Sequence, residues 1–267
     1  MNTYSHIYLS PHPDDVVLSC GGLVRQQTRA GKRVLVVTIF AAAPAPGAAL
    51  SPFAQELHAR WGHPTSADAR RRAEDRAALA LLGADVIYWP YADCIYRQTP
   101  SGRFPYASEE SLWAAPHPAE DALIAELAAR IAALSPKIEG EQNGPPRQVI
   151  YAPLGVGRHV DHQITRRAAA DAQAGVCVYY EDYPYARDPQ AVQAALEPER
   201  MQWRAELTPL DEQSLEAKIT AIAQYRSQLS TFWTSQEEMA KAIQAFAGQV
   251  GGGSPAERYW MPGSPSR

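Results

Sequence analysis

The sequence has 267 residues, 46% of them hydrophobic and 20% charged, with a net charge of −4. That length can bury a sizeable core in one domain, and the composition is that of an ordinary globular protein. With no dense block of Lys and Arg and no apolar run near the ~20 residues that cross a bilayer, it excludes a nucleic-acid footprint and a membrane span.

Residues 7–10 read as a short apolar strand. Residues 21–30 read as a helix closed by Gly31 in the left-handed position. The run "RVLVVTIF", 33–40, is continuous and β-branched, as in a parallel strand buried on both faces. A helix is predicted over 66–82, stopped by Gly83, and a strand over 85–89. Residues 119–134 place Leu123, Ile124, Leu127, Ile131 and Leu134 on one helical face. A strand over 147–153, a helix over 161–174 and a strand over 176–180 follow. Strands separated by helices predict right-handed crossovers. The fold class is therefore α/β, a Rossmann-like, doubly wound, mostly parallel sheet with helices on both faces.

One domain is expected over 1–267: an α/β core over 1–185 and a mostly helical C-terminal extension over 186–267. In the extension, Leu215, Ile219, Ile222 and Tyr225 mark one amphipathic helix. Ser235 and Glu238 form a capping box before another, and 248–255 reads as a flexible loop. Segments 41–64 and 90–118 are rich in proline and follow strands. They should emerge at the carboxyl edge of the sheet, where open α/β sheets bind ligands. Their aromatics, Phe53, Trp61, Tyr91, Tyr96, Phe104, Tyr106 and Trp113, are expected to overhang that crevice and set substrate choice; the alternative is that they pack on each other or on a neighbouring subunit.

The cysteines, Cys20, Cys94 and Cys177, form no CxxC pair, which predicts a reducing compartment. The first residues run straight into a strand and leave no room for a signal peptide. The expected location is cytoplasmic.

Two short stretches concentrate the chemistry. "SPHPDD", 10–15, presents His12, Asp14 and Asp15 at the end of the first strand. "GRHVDHQ", 157–163, presents His159, Asp161 and His162 where a helix opens. His159 and His162 are three apart and point to similar sides. The two loops should meet near the switch point of the sheet. Two imidazoles and a carboxylate suit a catalytic Zn²⁺, and Fe²⁺ as well. A spare carboxylate can act as a base, and a protonated histidine opposite it can stabilise an oxyanion. Each piece also has a plain reading: Asp caps in a turn for "HPDD", a helix cap for His159, a salt-bridged helix face for Arg71 and Glu74. His6, His58, His63 and His117 read as packing or surface residues.

Together, "PHPDD" and the later "HVDH" resemble the PIG-L/LmbE-like zinc-dependent de-N-acetylases. "CGG" at 20–22, "RRAEDRAALALLG" at 71–83 and Asp93 after the third strand extend the likeness, which covers roughly residues 5–185. The resemblance implies an LmbE-like three-layer fold and removal of an acetyl group from a GlcNAc-type amino sugar or glycoside. It implies that His12, Asp15 and His162 bind Zn²⁺, or Fe²⁺ or another divalent ion. Asp14 would be the general base on metal-bound water, His159 would polarise the amide carbonyl, and Asp161 would orient a neighbouring histidine. Arg71 and Asp93 would hold sugar hydroxyls. The match departs at Val16, where the family carries an acidic residue. It also departs at "GVGR", where some members carry a tyrosine, which leaves Tyr183, Tyr185 or a loop aromatic as the stand-in. The expected partner is a small N-acetylated sugar or conjugate, with no nucleic acid and no membrane span; a homo-oligomer is allowed. The alternatives are an amidase on a larger acyl or thiol conjugate, and a non-catalytic small-molecule binding module.

Overall fold

The structure is a computed structural model that describes residues 4–45, 47–60, 67–134, 148–197 and 202–263. His63 and Trp61 lie outside the described residues. In chain order the elements are β1 (His6–Ser10), α1 (Asp15–Arg29), β2 (Val34–Thr38), α2 (Pro52–Arg60), α3 (Ala67–Leu82), β3 (Asp85–Tyr88), α4 (Glu109–Leu112), α5 (Asp121–Leu134), β4 (Val149–Pro153), α6 (Val160–Ala172), β5 (Val176–Tyr180), α7 (Pro189–Leu196), β6 (Trp203–Pro209), α8 (Glu212–Ile222), α9 (Arg226–Phe232), α10 (Gln236–Val250) and β7 (Ala256–Pro262).

The strands form a seven-stranded sheet in the order β3-β2-β1-β4-β5-β7-β6. β1 to β5 pair in parallel, whereas β7 is antiparallel to both β5 and β6. The chain winds outward from β1 to β3 and then returns to β4 on the other side. The switch point therefore lies between β1 and β4, and loops after these two strands face each other.

Period-two alternation explains why the central strands are buried on both faces. Tyr8, Val34 and Val36 point to a layer that includes Leu18 and Val24 of α1, Leu79 of α3, Ile222 of α8 and Ile243 of α10. Ile7, Leu9, Leu35 and Val37 point to the opposite layer, with Leu127 and Ile131 of α5, Ile164 of α6 and Val192 of α7. Each such fully buried aliphatic side chain contributes about 1.5–3 kcal/mol of burial energy.

Three stretches differ from the sequence reading. α1 starts at Asp15 and not near Gly21. Gly21 and Gly22 sit inside it because neighbours approach closely: a Cβ on Gly22 would lie 2.6 Å from Leu210 Cδ1. The C-terminal third holds β6 and β7 besides its helices, and they widen the sheet. The stretch 248–255 is not one loop: α10 runs to Val250, and a turn leads from Gly251 into β7. The capping box at Ser235 is modified. Its hydroxyl accepts the Glu238 N–H (3.1 Å), but the Glu238 carboxylate turns back to the Thr234 N–H (2.8 Å).

Described residues of the two proline-rich segments, within 50–57 and 94–112, form a third, small core with Val160. Phe53 and Ala54 of α2 pack with Cys94, Ile95, Tyr106 and Val160. Val160 lies between His159 and Asp161, so this core roofs the start of α6. Phe53 and Tyr106 are buried in it and do not face a substrate.

Candidate functional site

β1 ends at Ser10 and delivers the chain to a tight turn. Ser10 Oγ donates to the His12 carbonyl (2.6 Å) and accepts from the Val16 N–H (3.3 Å). Asp14 adopts φ 101°, a region L-residues seldom occupy, and α1 begins at the next residue. On the other side of the switch point, Gly155, Gly157 and Arg158 carry positive φ and lead to His159 at the N-cap of α6. A side chain at 157 would overlap the Tyr185 ring.

The turns bring His12, Asp14, Asp15, His159, Asp161 and His162 into one crevice. Asp15 Oδ2 lies 3.3 Å from His12 Nδ1 and 3.3 Å from His162 Nε2. It is fixed there by the His12 N–H (2.7 Å). The far nitrogen of each imidazole meets another carboxylate. His12 Nε2 lies 2.9 Å from Asp161 Oδ2, and His162 Nδ1 lies 2.6 Å from Asp182 Oδ1. A carboxylate behind each imidazole is the arrangement that orients metal-binding histidines and makes them better donors. Ring nitrogens of His12, His159 and His162 also lie within 4.8 Å of one another, as do donor atoms of His12, Asp93 and Asp161.

The electrostatics suit a cation. Asp14, Asp15, Asp93, Asp161 and Asp182 surround the imidazoles, with Arg71 and Arg97 on the flanks. Burial opposes charge on His12, but the Asp15 and Asp161 carboxylates outweigh it and hold the ring up at about 10. His162 is raised too: burial opposes it, and Asp15 and Asp182 prevail. Asp15 is held well below the usual carboxylate range, since His162 and His12 overcome burial. The same field that draws protons to these nitrogens draws a divalent ion, which displaces them. The chemistry of this donor set therefore suits a divalent ion.

Asp14 behaves differently from Asp15. Burial pushes it up, Arg71 opposes this, and Asp15 adds to it, leaving the carboxyl at about 7. Its Oδ2 lies 3.7 Å from Arg71 Nη2. His159 stands edge-on to His12 (5.1 Å between ring centres) and to Trp113 (5.4 Å). Burial and then the His12 charge push it down to about 4. Its Nδ1 accepts the Asp161 N–H (3.3 Å), so its proton sits on Nε2. His159 is thus a neutral N–H donor, and not the cation expected at an oxyanion site.

Asp161 meets His12, not His159, through its carboxylate. It also accepts from Arg97 Nη2 (2.6 Å) and the Cys94 N–H (3.1 Å). Arg71 donates to the Pro13 carbonyl (3.3 Å) and lines a small pocket with Pro13, Phe40, Ala41, Asp93 and Tyr96. Asp93 caps the short turn Cys94–Tyr96 through Oδ1 and lies 3.6 Å from His12 Nε2 through Oδ2. Of the tyrosines considered as stand-ins, Tyr183 is stacked on Trp233 in the core. Tyr185 is at the crevice, 6.3 Å from His162 and 5.4 Å from Trp113. Tyr96 lies at the pocket and bonds His58 Nε2 (2.6 Å), so His58 packs against the site. Asp182 and Arg97 were not anticipated. The available signal for Asp182 was an acidic pair, Glu181 and Asp182, directly after a parallel strand.

The pattern of the PIG-L family (GlcNAc-PI de-N-acetylase) matches residues 7–173, more than half of the chain. The chain belongs to the PIG-L family. It is 26% identical over 194 residues to the 2'-N-acetylparomamine deacetylase of Niallia circulans, covering 67% of this chain and 66% of that protein. It is 29% identical over 190 residues to the protein of the same name from Streptomyces fradiae, covering 70% and 59%. It thus spans less than two thirds of the length of those two curated relatives. Among solved structures it is similar to the zinc-inhibited form of teicoplanin deacetylase Orf2, with 28% identity, a TM-score of 0.80, and 98% of this chain and 99% of that chain covered. The LmbE-like α/β architecture of this PIG-L member agrees with that neighbour.

Proposed function

We propose that this PIG-L member is a metal-dependent hydrolase that removes the N-acetyl group of an amino sugar, free or within a glycoside. The observation that carries the reading is the convergence of His12 Nδ1 and His162 Nε2 on Asp15 Oδ2. The relatives' names support the class, since they share deacetylation and name an N-acetyl group on paromamine.

His12, Asp15 and His162 would hold the ion, with Zn²⁺ the preferred identity and Fe²⁺ the rival for the same donors. A divalent ion at such a site supplies Lewis acidity and makes water a better nucleophile near neutral pH. Asp161 and Asp182 keep the two imidazoles in the donor orientation. Asp14, beside Asp15 but outside the trio, takes the proton of the attacking water. Arg71 keeps its carboxylate in place. The Nε2–H of His159 donates to the amide oxygen as negative charge develops there. When the C–N bond breaks, Asp14 returns its proton to the leaving amine, which restores the carboxylate. Asp93, Arg71 and Tyr96 offer polar edges for sugar hydroxyls in the adjoining pocket.

The test is a panel of N-acetylated sugars, sugar glycosides and larger acyl or thiol conjugates, scored by released acetate or acid and by free amine. The reading requires acetate from N-acetylated sugars or glycosides. Release only from the conjugates would make the chain an amidase of another class. Binding without release would make it a binding module.

A further inference from the structure

We infer that helix α3 clamps the peptide unit that aims Asp14, and that residues beyond the family match brace this clamp. The inference rests on Asp14 acting as the base. Arg71 Nη2 donates to the Pro13 carbonyl (3.3 Å). One helical turn later, Asp75 Oδ1 accepts the Asp14 N–H (3.4 Å). These are the two polar groups of a single peptide unit. Asp14 holds φ 101°, and an unfavourable backbone of this kind persists only where the surroundings over-determine it. A side chain at each end of the peptide supplies that constraint.

Asp75 is itself immobilised. It is buried, and three hydroxyl groups fill its remaining acceptor positions. Tyr225 donates to Oδ1 (2.6 Å), and Tyr88 (3.0 Å) and Thr38 (3.3 Å) donate to Oδ2. Tyr88 and Thr38 belong to the sheet. Tyr225 lies between α8 and α9, outside residues 7–173. The preceding residue on α3, Glu74, bonds the Ser227 hydroxyl (2.5 Å) and so pins the same C-terminal turn. The C-terminal segment therefore reaches the active-site turn through one relay, Tyr225 to Asp75 to the Asp14 peptide. Asp75 touches no reacting atom and is a positioning residue.

The test compares Asp75→Ala, Asp75→Asn and Tyr225→Phe in the full chain, reading kcat, KM, metal content and exchange of the Asp14 amide. Displacing a reacting group by about an ångström costs up to ~10²-fold. Asp75→Ala should therefore lower kcat by about tenfold to a hundredfold, with KM within a factor of about two and metal retained. Its Asp14 amide should exchange about tenfold faster or more. Asparagine can keep the Oδ1 acceptor and turn its NH₂ toward the Tyr88 and Thr38 oxygens. Asp75→Asn should therefore recover most of kcat and the amide protection. Tyr225→Phe should fall between, and it carries the same test if the alanine variant does not fold. An unchanged kcat in Asp75→Ala, or an asparagine variant as poor as alanine, would overturn the clamp. So would a loss of metal in parallel with kcat. If no N-acetyl sugar is cleaved at all, the proposed activity fails, while Asp14 amide exchange still reads the clamp by itself.

Discussion

His162 donates from Nδ1 to Asp182 Oδ1 at 2.6 Å, and the other oxygen of Asp182 accepts the Val156 N–H at 2.8 Å. The carboxylate thus ties the end of β5 to the loop after β4 and fixes which face of the His162 ring meets Asp15. Removing a partner behind a metal-bound imidazole typically costs 10- to 100-fold in affinity. Asp182→Ala should weaken metal binding by about that factor while leaving His12 and Asp15 in place. Competition against a chelator of known affinity reads it directly. Wild-type affinity in that variant would reduce Asp182 to a loop tether.

The two adjacent aspartates should separate cleanly. Asp15 touches both imidazoles, so Asp15→Asn should lose the metal. Asp14 lies outside that trio, so Asp14→Asn should keep the metal and lose about 10²–10⁴ in turnover, the usual worth of a general base. Metal analysis and steady-state rates on both variants check this. A metal-free Asp14→Asn beside a metal-loaded Asp15→Asn would reverse the assignment.

His159 carries a pKa held down near 4 by burial and by His12, and its Nε2 bears the proton. A neutral donor is what it can offer to an oxyanion. His159→Ala should cost about 10²–10³ in kcat with metal unchanged, the usual loss for one such donor. His159→Gln, which keeps a neutral N–H, should lose less. Equal losses in the two variants would show that the imidazole acts by some other means, and near-normal turnover in both would leave His159 as a helix cap.

Much of this site was legible because the chemistry sits in two short loops at one sheet edge. β1 and β2 announce themselves by apolar runs, and the loops after β1 and β4 carry side chains a plain turn does not need. What was hidden depends on contacts distant in sequence. Arg97 reaches Asp161 across 64 residues, and Asp75 meets Tyr225 across 150. Nothing in the local pattern around either residue points to its partner. β6 was missed because most of its residues are exposed and its pairing is almost wholly with β7, some fifty residues later. The start of α1 was misplaced because Gly21 and Gly22, which ordinarily mark a boundary, here make room for Lys218 and Leu210.

The central claim is that His12, Asp15 and His162 hold a divalent ion on which deacetylation depends. The most direct measurement is a metal titration of chelator-stripped protein, following bound metal and acetate release from an N-acetylated sugar in the same samples. Activity should be absent in the stripped protein and rise in step with binding to one site per chain. His162→Ala should show neither the binding nor the recovery. Full turnover in stripped protein, or wild-type binding and recovery in His162→Ala, would contradict the account.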